Sequence, residues 1–402
     1  MSAVATDASL IPDATKRRTL ALLSLGHGAA HWYTGLYSVI LPVIAEAFGL
    51  SYTQVGLIGS ARGVGSSLSS VLGGVLADIT NQRKVMLLLC LISTAAAYAL
   101  LGTAPTFTWA LVFLILGVLG NSTWHPLAMP VLTYLYPRRM GLTLALHDSG
   151  AQTIQAISPL VVGALLTFID WQRVLQWHWL PGLGMAALLW FALPHIQIAQ
   201  RQGGQRFRDR LKTDVLGNGR MWLVSGVWAL TGIAREGLFT FLPLFVAFEL
   251  GLSSVWVGIA AGSVTLVGAL AAPLVGWMAD KAGQQLILLA TMLGGAVVLV
   301  LLPQVRSAPL LVVVTVLLGL VVFSTRSIFF ASAMGVTSAD VGGSTVGLMF
   351  FLNRGFAAVS PLLAGSLAER FGLAYVFYFF AVTNVLAALL IRTMPKTSET
   401  AT

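Results

Sequence analysis

Nine side chains able to carry charge or protons fall inside strongly apolar sequence: Arg62, Asp148, Arg235, Glu236, Arg326 and Arg354, with His27, His31 and His125. In hydrocarbon such a group costs at least about 2.5 kcal/mol, so each is a candidate for function. Arginine keeps its proton and offers a planar fork of donors suited to carboxylate or phosphonate oxygens. Four embedded arginines against two acids leave a positive apolar interior, which favours an anionic ligand. The same arginines could instead cap helix carbonyls or pair with acids, Arg235 or Arg62 with Asp148 or Glu236. A carboxylate screened from water can load and release a proton as solvent access changes. Asp148 and Glu236 are the only acids placed for that role. His27 and His31 stand four apart, on one face of a helix, a spacing that can hold a metal. No further Cys, His or carboxylate lies nearby in sequence, and His27-Gly-Ala-Ala-His31 lacks the glutamate of a zinc-protease motif. The expectation is therefore no metal and no cofactor, with His31 as a hydrogen-bonding or proton-handling group. Trp32, Tyr33 and Tyr37 could line a ligand path or simply pack. No nucleophile elbow, phosphate loop or metal cluster is present, so an enzyme is not expected.

The elements that must hold these residues follow from composition. The chain has 402 residues, 57% hydrophobic and 9% charged, where a soluble domain carries about 25% charged residues. Twelve apolar runs fall at approximately 20–45, 52–77, 84–103, 107–131, 140–168, 173–193, 221–247, 254–279, 285–303, 308–333, 342–368 and 373–394. Each is long enough for a membrane-spanning helix, and no strand-like alternation suggests a barrel. The fold class expected is an all-α membrane protein of twelve transmembrane helices in two parallel, pseudo-symmetric six-helix halves. The division is a tail at 1–18, halves at 19–194 and 221–394, a basic linker at 195–220 and a tail at 395–402. After Lys16-Arg17-Arg18 the apolar segment reaches about Ala45, too long for a cleavable signal. The single cysteine, Cys90, excludes an intrachain disulfide.

The net charge of +9 sits in short clusters between apolar runs, which argues against nucleic acid. With the N-terminus in the cytoplasm, sixteen basic residues fall inside against Arg173, Arg306 and Arg370 outside. The positive-inside rule then places both termini in the cytoplasm.

The halves repeat each other at a separation of 202 residues. Gly49-Leu-Ser51 returns as Gly251-Leu-Ser253, Ala77-Asp78 as Ala279-Asp280, and Ser158-Pro-Leu160 as Ser360-Pro-Leu362. In the first span, Thr34-Gly-Leu-Tyr-Ser38 matches Glu236-Gly-Leu-Phe-Thr240, with a one-residue slip before Leu41-Pro42 and Leu242-Pro243. Under the repeat, Arg326 stands opposite Trp124 and Arg354 opposite Gln152. Only one half supplies the charge at each pair, which makes these arginines the better substrate candidates. Arg62 interrupts a small-residue stripe of Gly59, Gly63, Ser66, Ser70 and Gly73, suited to close helix packing. His125 and Asp148 lie at similar depth on either side of one loop, as a coupled proton-handling pair or a static hydrogen-bonded one.

Two parallel six-helix halves, a basic central loop and the sequence Gly74-Val-Leu-Ala-Asp78-Ile-Thr-Asn81-Gln-Arg83-Lys84 resemble the major facilitator superfamily. The second copy reads Gly276-Trp-Met-Ala-Asp280-Lys281-Ala-Gly283. The resemblance spans roughly 18–395 and implies alternating-access transport across a bacterial inner membrane. It places the charged spans around a central cavity and makes Asp78, Arg83 and Asp280 gating residues. His31, Gly120-Asn-Ser-Thr-Trp-His125-Pro126 and Ser158-Pro159-Leu160 are similar to the fosmidomycin-resistance branch, whose members export small anionic drugs. The site implied has Arg326, Arg354, Arg62, Arg235, His31, Gln152, Trp124 and Tyr37 for substrate. Asp148, Glu236 and His125 would handle protons. The expected partners are a small anionic substrate, protons and the bilayer, with the chain monomeric and no nucleic acid bound. Uptake of an anion with protons uses the same residues, and a non-transporting receptor is the reading from another class.

Overall fold

Every apolar run is helical in the computed structural model, which describes residues 11–137, 139–194, 209, 211–337 and 342–394. Residues 1–10 and 395–402, Arg138 and most of the basic linker, with Arg201, Arg206, Arg208 and Arg210, lie outside the described residues. The first half runs α1 (Asp13–Ala47), α2 (Tyr52–Thr80), α3 (Arg83–Leu101), α4 (Phe107–Asn121), α5 (Trp124–Leu135), α6 (Met140–Leu165), α7 (Trp171–Trp177) and α8 (Trp179–Ala192). The second runs α9 (Gly219–Leu244), α10 (Ser254–Ala282), α11 (Gln284–Leu301), α12 (Ala308–Leu318), α13 (Arg326–Met334), α14 (Gly342–Ala357), α15 (Ser360–Phe371) and α16 (Leu373–Ile391). The pairs α4/α5, α7/α8, α12/α13 and α14/α15 are single spans interrupted part-way, so the helices make twelve spans. No strand occurs among the described residues. Among the described residues, eight of the spans are long and apolar enough to cross a membrane by length and composition. The other spans have physical reasons to fall short. Histidines, hydroxyls and amides dilute α1, α2 and α6, and His178 divides the sixth span into two short helices.

Proline explains the break between α4 and α5 and what fills it. Pro126 has no N–H for the carbonyl four residues back, and Pro130 likewise leaves the Pro126 carbonyl without its helical donor. In hydrocarbon a freed carbonyl must find another partner. Ser70 Oγ donates to the Ser122 carbonyl at 3.0 Å, and Arg83 Nη1 donates to the Pro126 carbonyl at 3.0 Å. Ser122 also donates to Ser66 Oγ at 2.8 Å. The break is therefore tied to α2 and α3 by side-chain hydrogen bonds, and it holds Trp124 and His125 in place.

The repeat is visible in the backbone. α2 and α10 start and end at positions 202 apart, and α5 and α13 begin at Trp124 and Arg326, the same separation. Gly49 and Gly251 have φ of 60° and 61°. Asn81 has φ of 52° and its counterpart Gly283 has 94°. Asn81 thus adopts a positive φ as its glycine counterpart does, and asparagine is among the few residues to do so readily. Ser158 Oγ donates to the Trp32 carbonyl at 2.7 Å and Ser360 Oγ to the Ile233 carbonyl at 2.9 Å. That shared bond sets the register of α1 against α9 at 201 residues, so the slip lies before Trp32 rather than after Ser38.

The chain forms two compact units. The first comprises Met1–Val43 and Val64–Arg201, the second Ile44–Gly63 and Gln202–Thr402. The core of the first unit joins Leu23, Leu87, Leu91, Trp124, Leu127 and Leu189. The core of the second joins Val224, Trp228, Leu288, Phe329, Met349 and Ala387. The small-residue stripe of α2 packs closely along its length, within each unit. A Cβ on Gly63 would lie 2.7 Å from that of Ala358, and one on Gly73 would lie 2.8 Å from the Thr123 methyl.

Candidate functional site

In the first unit the histidines converge. His27 is fully buried on α1, and its Nε2 lies 3.2 Å from His125 Nε2. Its Nδ1 lies 3.3 Å from the carbonyl of His147 on α6, a group that only accepts hydrogen bonds. That partner puts the His27 proton on Nδ1 and leaves a lone pair on Nε2. The His147 ring stacks on His27 with centroids 4.3 Å apart. His31, one turn along α1, places Nδ1 2.5 Å from Gln155 Oε1. His31 and His125 have ring centroids 5.9 Å apart. Beneath them Trp124 is wholly enclosed, its indole parallel to the His27 ring at 6.3 Å.

α6 supplies this arrangement through helical spacing. His147 and Gln155 are eight apart and share the face turned to α1, while Asp148 and Gln152 share the next face. The Asp148 carboxylate accepts the Gln152 amide at 3.3 Å. His125, matched with Asp148 by depth, makes a ring-nitrogen contact with His27. His147 and Gln155 are 2% and 4% exposed, and neither was singled out as a site residue in the sequence. The i, i+8 spacing of these two polar residues in an apolar helix is the signal that could have found them.

The second unit holds the arginines. Arg354 lies over the Phe350 ring at 5.9 Å, and Phe350 packs with Trp228 at 5.4 Å and Phe330 at 5.5 Å. Asn353 donates to the Trp228 carbonyl at 2.7 Å, fixing α14 against α9. Glu236 and Arg326 are the charges that act on the Arg354 guanidinium. Arg235 lies over Phe323 at 5.5 Å. All three arginines are half-buried and Glu236 is exposed. Aromatic faces orient a guanidinium without cancelling its charge. Arg326 and Arg354 with one carboxylate, Glu236, leave this part of the second unit with an excess of positive charge. Arg62 is also half-buried and belongs to the second unit, because the first half of α2 packs there.

The remaining candidates are dispersed. Trp124 and Tyr37 are buried in the first unit, at 0% and 4% exposure. Arg83 is buried on the Pro126 carbonyl, the side chain of Asp78 lies outside the described residues, and Asp280 is exposed.

Twelve spans in two repeated halves, with buried polar clusters in each, narrow the families that could own this chain. The sequence profile of the Major Facilitator Superfamily matches residues 23–359. The chain belongs to the major facilitator superfamily. Members of this superfamily are transporters, not enzymes, so the chain is a multi-pass membrane transporter of a small molecule. It is similar to an uncharacterised MFS-type transporter, YfnC of Bacillus subtilis, at 24% identity across 94% of each chain. It resembles the multidrug resistance protein MdtG of Proteus mirabilis at 33% identity, over 38% of this chain and 39% of that one. It also resembles the membrane sensor protein UhpC of Salmonella typhimurium at 24% identity, over 66% of this chain and 64% of that one. Among solved structures, a bacterial homologue of the human lysosomal transporter Spinster matches with TM-score 0.78 and 16% identity, covering 96% and 97% of the two chains. A mutant of the nucleoside transporter NupG matches with TM-score 0.73 and 17% identity, covering 94% and 99%. These structural likenesses carry the fold, and the fold is the one expected from the sequence.

Proposed function

We propose that this transporter moves a small organic anion across a bacterial inner membrane by alternating access, coupled to protons and in the export direction. The observation that carries the anion is Arg326 and Arg354 near a single carboxylate, Glu236, with Arg235 next to it in sequence. Export is supported by the relatives named for multidrug resistance. Both termini are taken to be cytoplasmic from the distribution of basic residues.

The second reading is uptake by proton symport, and one observation favours it. Glu236 acts on Arg354, so an ionised Glu236 competes with an incoming anion for the same guanidinium. Protonating the carboxylate would release the arginine, and proton and anion would then bind together. The test is the full chain in proteoliposomes with an imposed pH gradient, screened against small carboxylates and phosphonates. Anion movement against the proton flow supports export, and movement with it supports symport. Arg354→Gln and Arg326→Gln each remove a half-buried charged partner, which costs about 2–5 kcal/mol, so affinity should fall roughly thirty-fold or more. Unchanged affinity in both variants would refute the anion site. Binding without any flux would move the chain to the sensor class, to which the UhpC relative belongs by name.

A further inference from the structure

We propose that His27, His31 and His125 form a binding site for one late first-row divalent cation, of the zinc or copper class. The inference rests on the first unit alone and does not depend on the anion reading. One ring nitrogen from each of the three histidines lies within 4.8 Å of the others. Imidazole nitrogens bind zinc at about 2.0–2.1 Å in a tetrahedron, which puts neighbouring ligand atoms about 3.4 Å apart. His27 Nε2 and His125 Nε2 already stand 3.2 Å apart. The third ring needs to close by little more than about 1 Å to reach the same centre.

The tautomers are set for coordination by the groups behind the rings. A metal-bound histidine ordinarily donates its second N–H to a carbonyl or carboxylate, which fixes the ring and strengthens the ligand. His27 Nδ1 faces the His147 carbonyl at 3.3 Å, and His31 Nδ1 faces Gln155 Oε1 at 2.5 Å. Both rings therefore present Nε2 as a lone pair. Without a cation, His125 Nε2–H donates to His27 Nε2. Shifting that proton to His125 Nδ1 gives both Nε2 atoms a lone pair for a cation. Spacing of His27 and His31 in the sequence gave two ligands and no more; α5 brings the third.

The donor set selects the metal class. Three neutral imidazoles with no thiolate suit zinc, copper(II) and nickel rather than copper(I) or magnesium. Three histidines leave a fourth position open, as in catalytic rather than closed structural zinc sites. His147 and Asp148 flank the site, and the Asp148 carboxylate is close enough to act on the His147 ring. A carboxylate on that side supplies negative charge that three imidazoles lack.

The test uses the tag-free full chain in detergent, stripped with chelator and titrated with zinc. Bound metal is counted after gel filtration. One zinc per chain is expected. His31→Gln and His125→Gln should each abolish stoichiometric binding, and Gln155→Leu should weaken it roughly 10–100-fold, the usual cost of losing the group behind a ligand. His178→Gln, also a buried histidine of the first unit but outside the cluster, should bind as the parent does. His27→Gln is fully enclosed and can fail to fold, so copper(II) bound to the unmodified chain provides the second measurement. Its paramagnetic resonance should show coupling to three imidazole nitrogens. Less than stoichiometric zinc on the parent chain, zinc retained by the His31→Gln/His125→Gln double variant, or fewer than three coupled nitrogens would overturn the site.

Discussion

Trp124 decides between two pictures of the first unit. From the repeat it is a ligand-lining residue opposite Arg326; in the structure it is 0% exposed and packed against Gly26 and Leu189. Consider Trp124→Ala. Deleting a buried Trp side chain removes its packing and leaves a cavity that close-packed helices fill only in part, at a cost of about 3–5 kcal/mol. A domain of this half's size loses about 2–4 °C of melting temperature per kcal/mol, so the variant should melt roughly 6–20 °C lower. Gly26→Ala perturbs the same contact from the other side, since a Cβ there would run into the indole. Overpacking of this kind costs about 1–3 kcal/mol, less up to about 1 kcal/mol from replacing a helical glycine. In the double variant the new methyl enters the space the indole vacated. The two costs should then fail to add, with a coupling of roughly 1 kcal/mol or more. The assay is thermal unfolding of the purified parent, both single variants and the double variant in one detergent. Additive losses, or a Trp124→Ala loss below about 1 kcal/mol, would show that the indole does not fill the core.

Other consequences are equally direct. Glu236→Gln should abolish proton-driven accumulation of the anion while leaving anion exchange, measured as counterflow in vesicles; retained accumulation would take Glu236 out of the coupling. Asn81→Ala should destabilise by about 1–2 kcal/mol because its φ of 52° suits few side chains, while Asn81→Gly should not. Gly63→Leu should block the close approach of α2 to Ala358, where even a Cβ would lie 2.7 Å away, and the variant should lose transport or fail to accumulate. A reporter fused after Lys396 should read cytoplasmic, and a periplasmic reading would reverse the orientation.

Much of the fold was legible because hydrocarbon leaves a chain few choices. Every backbone group must be satisfied within a helix, so each apolar run had to be one. Repetition was legible too, and the backbone carries it down to Gly49 with Gly251 and Asn81 with Gly283. The interruptions of spans 4, 6, 10 and 11 were less so. Pro126 marked one of them, but the hydroxyl of Ser70 and the arginine that satisfy the freed carbonyls come from helices distant in sequence. The site was half legible. Residue type singled out the buried ionisable groups, since each is costly in an apolar run. Partners were harder to read: depth matched His125 with Asp148, and only the fold shows that His125 also meets His27. Depth along a helix does not specify which way a side chain turns, and one residue of rotation moves it by about 100°.

The sequence by itself determined that this is a twelve-helix membrane protein with two repeated halves and a surplus of embedded arginine. Those properties depend on composition, period and spacing, which are local and need no neighbour. Only the tertiary structure decided that His27, His31, His125 and His147 meet, that Gln155 stands behind His31, and that Glu236 and Arg326 act on Arg354. Helices distant in sequence must pack before such side chains share a site, and packing is set by shape across the whole unit rather than by any one helix.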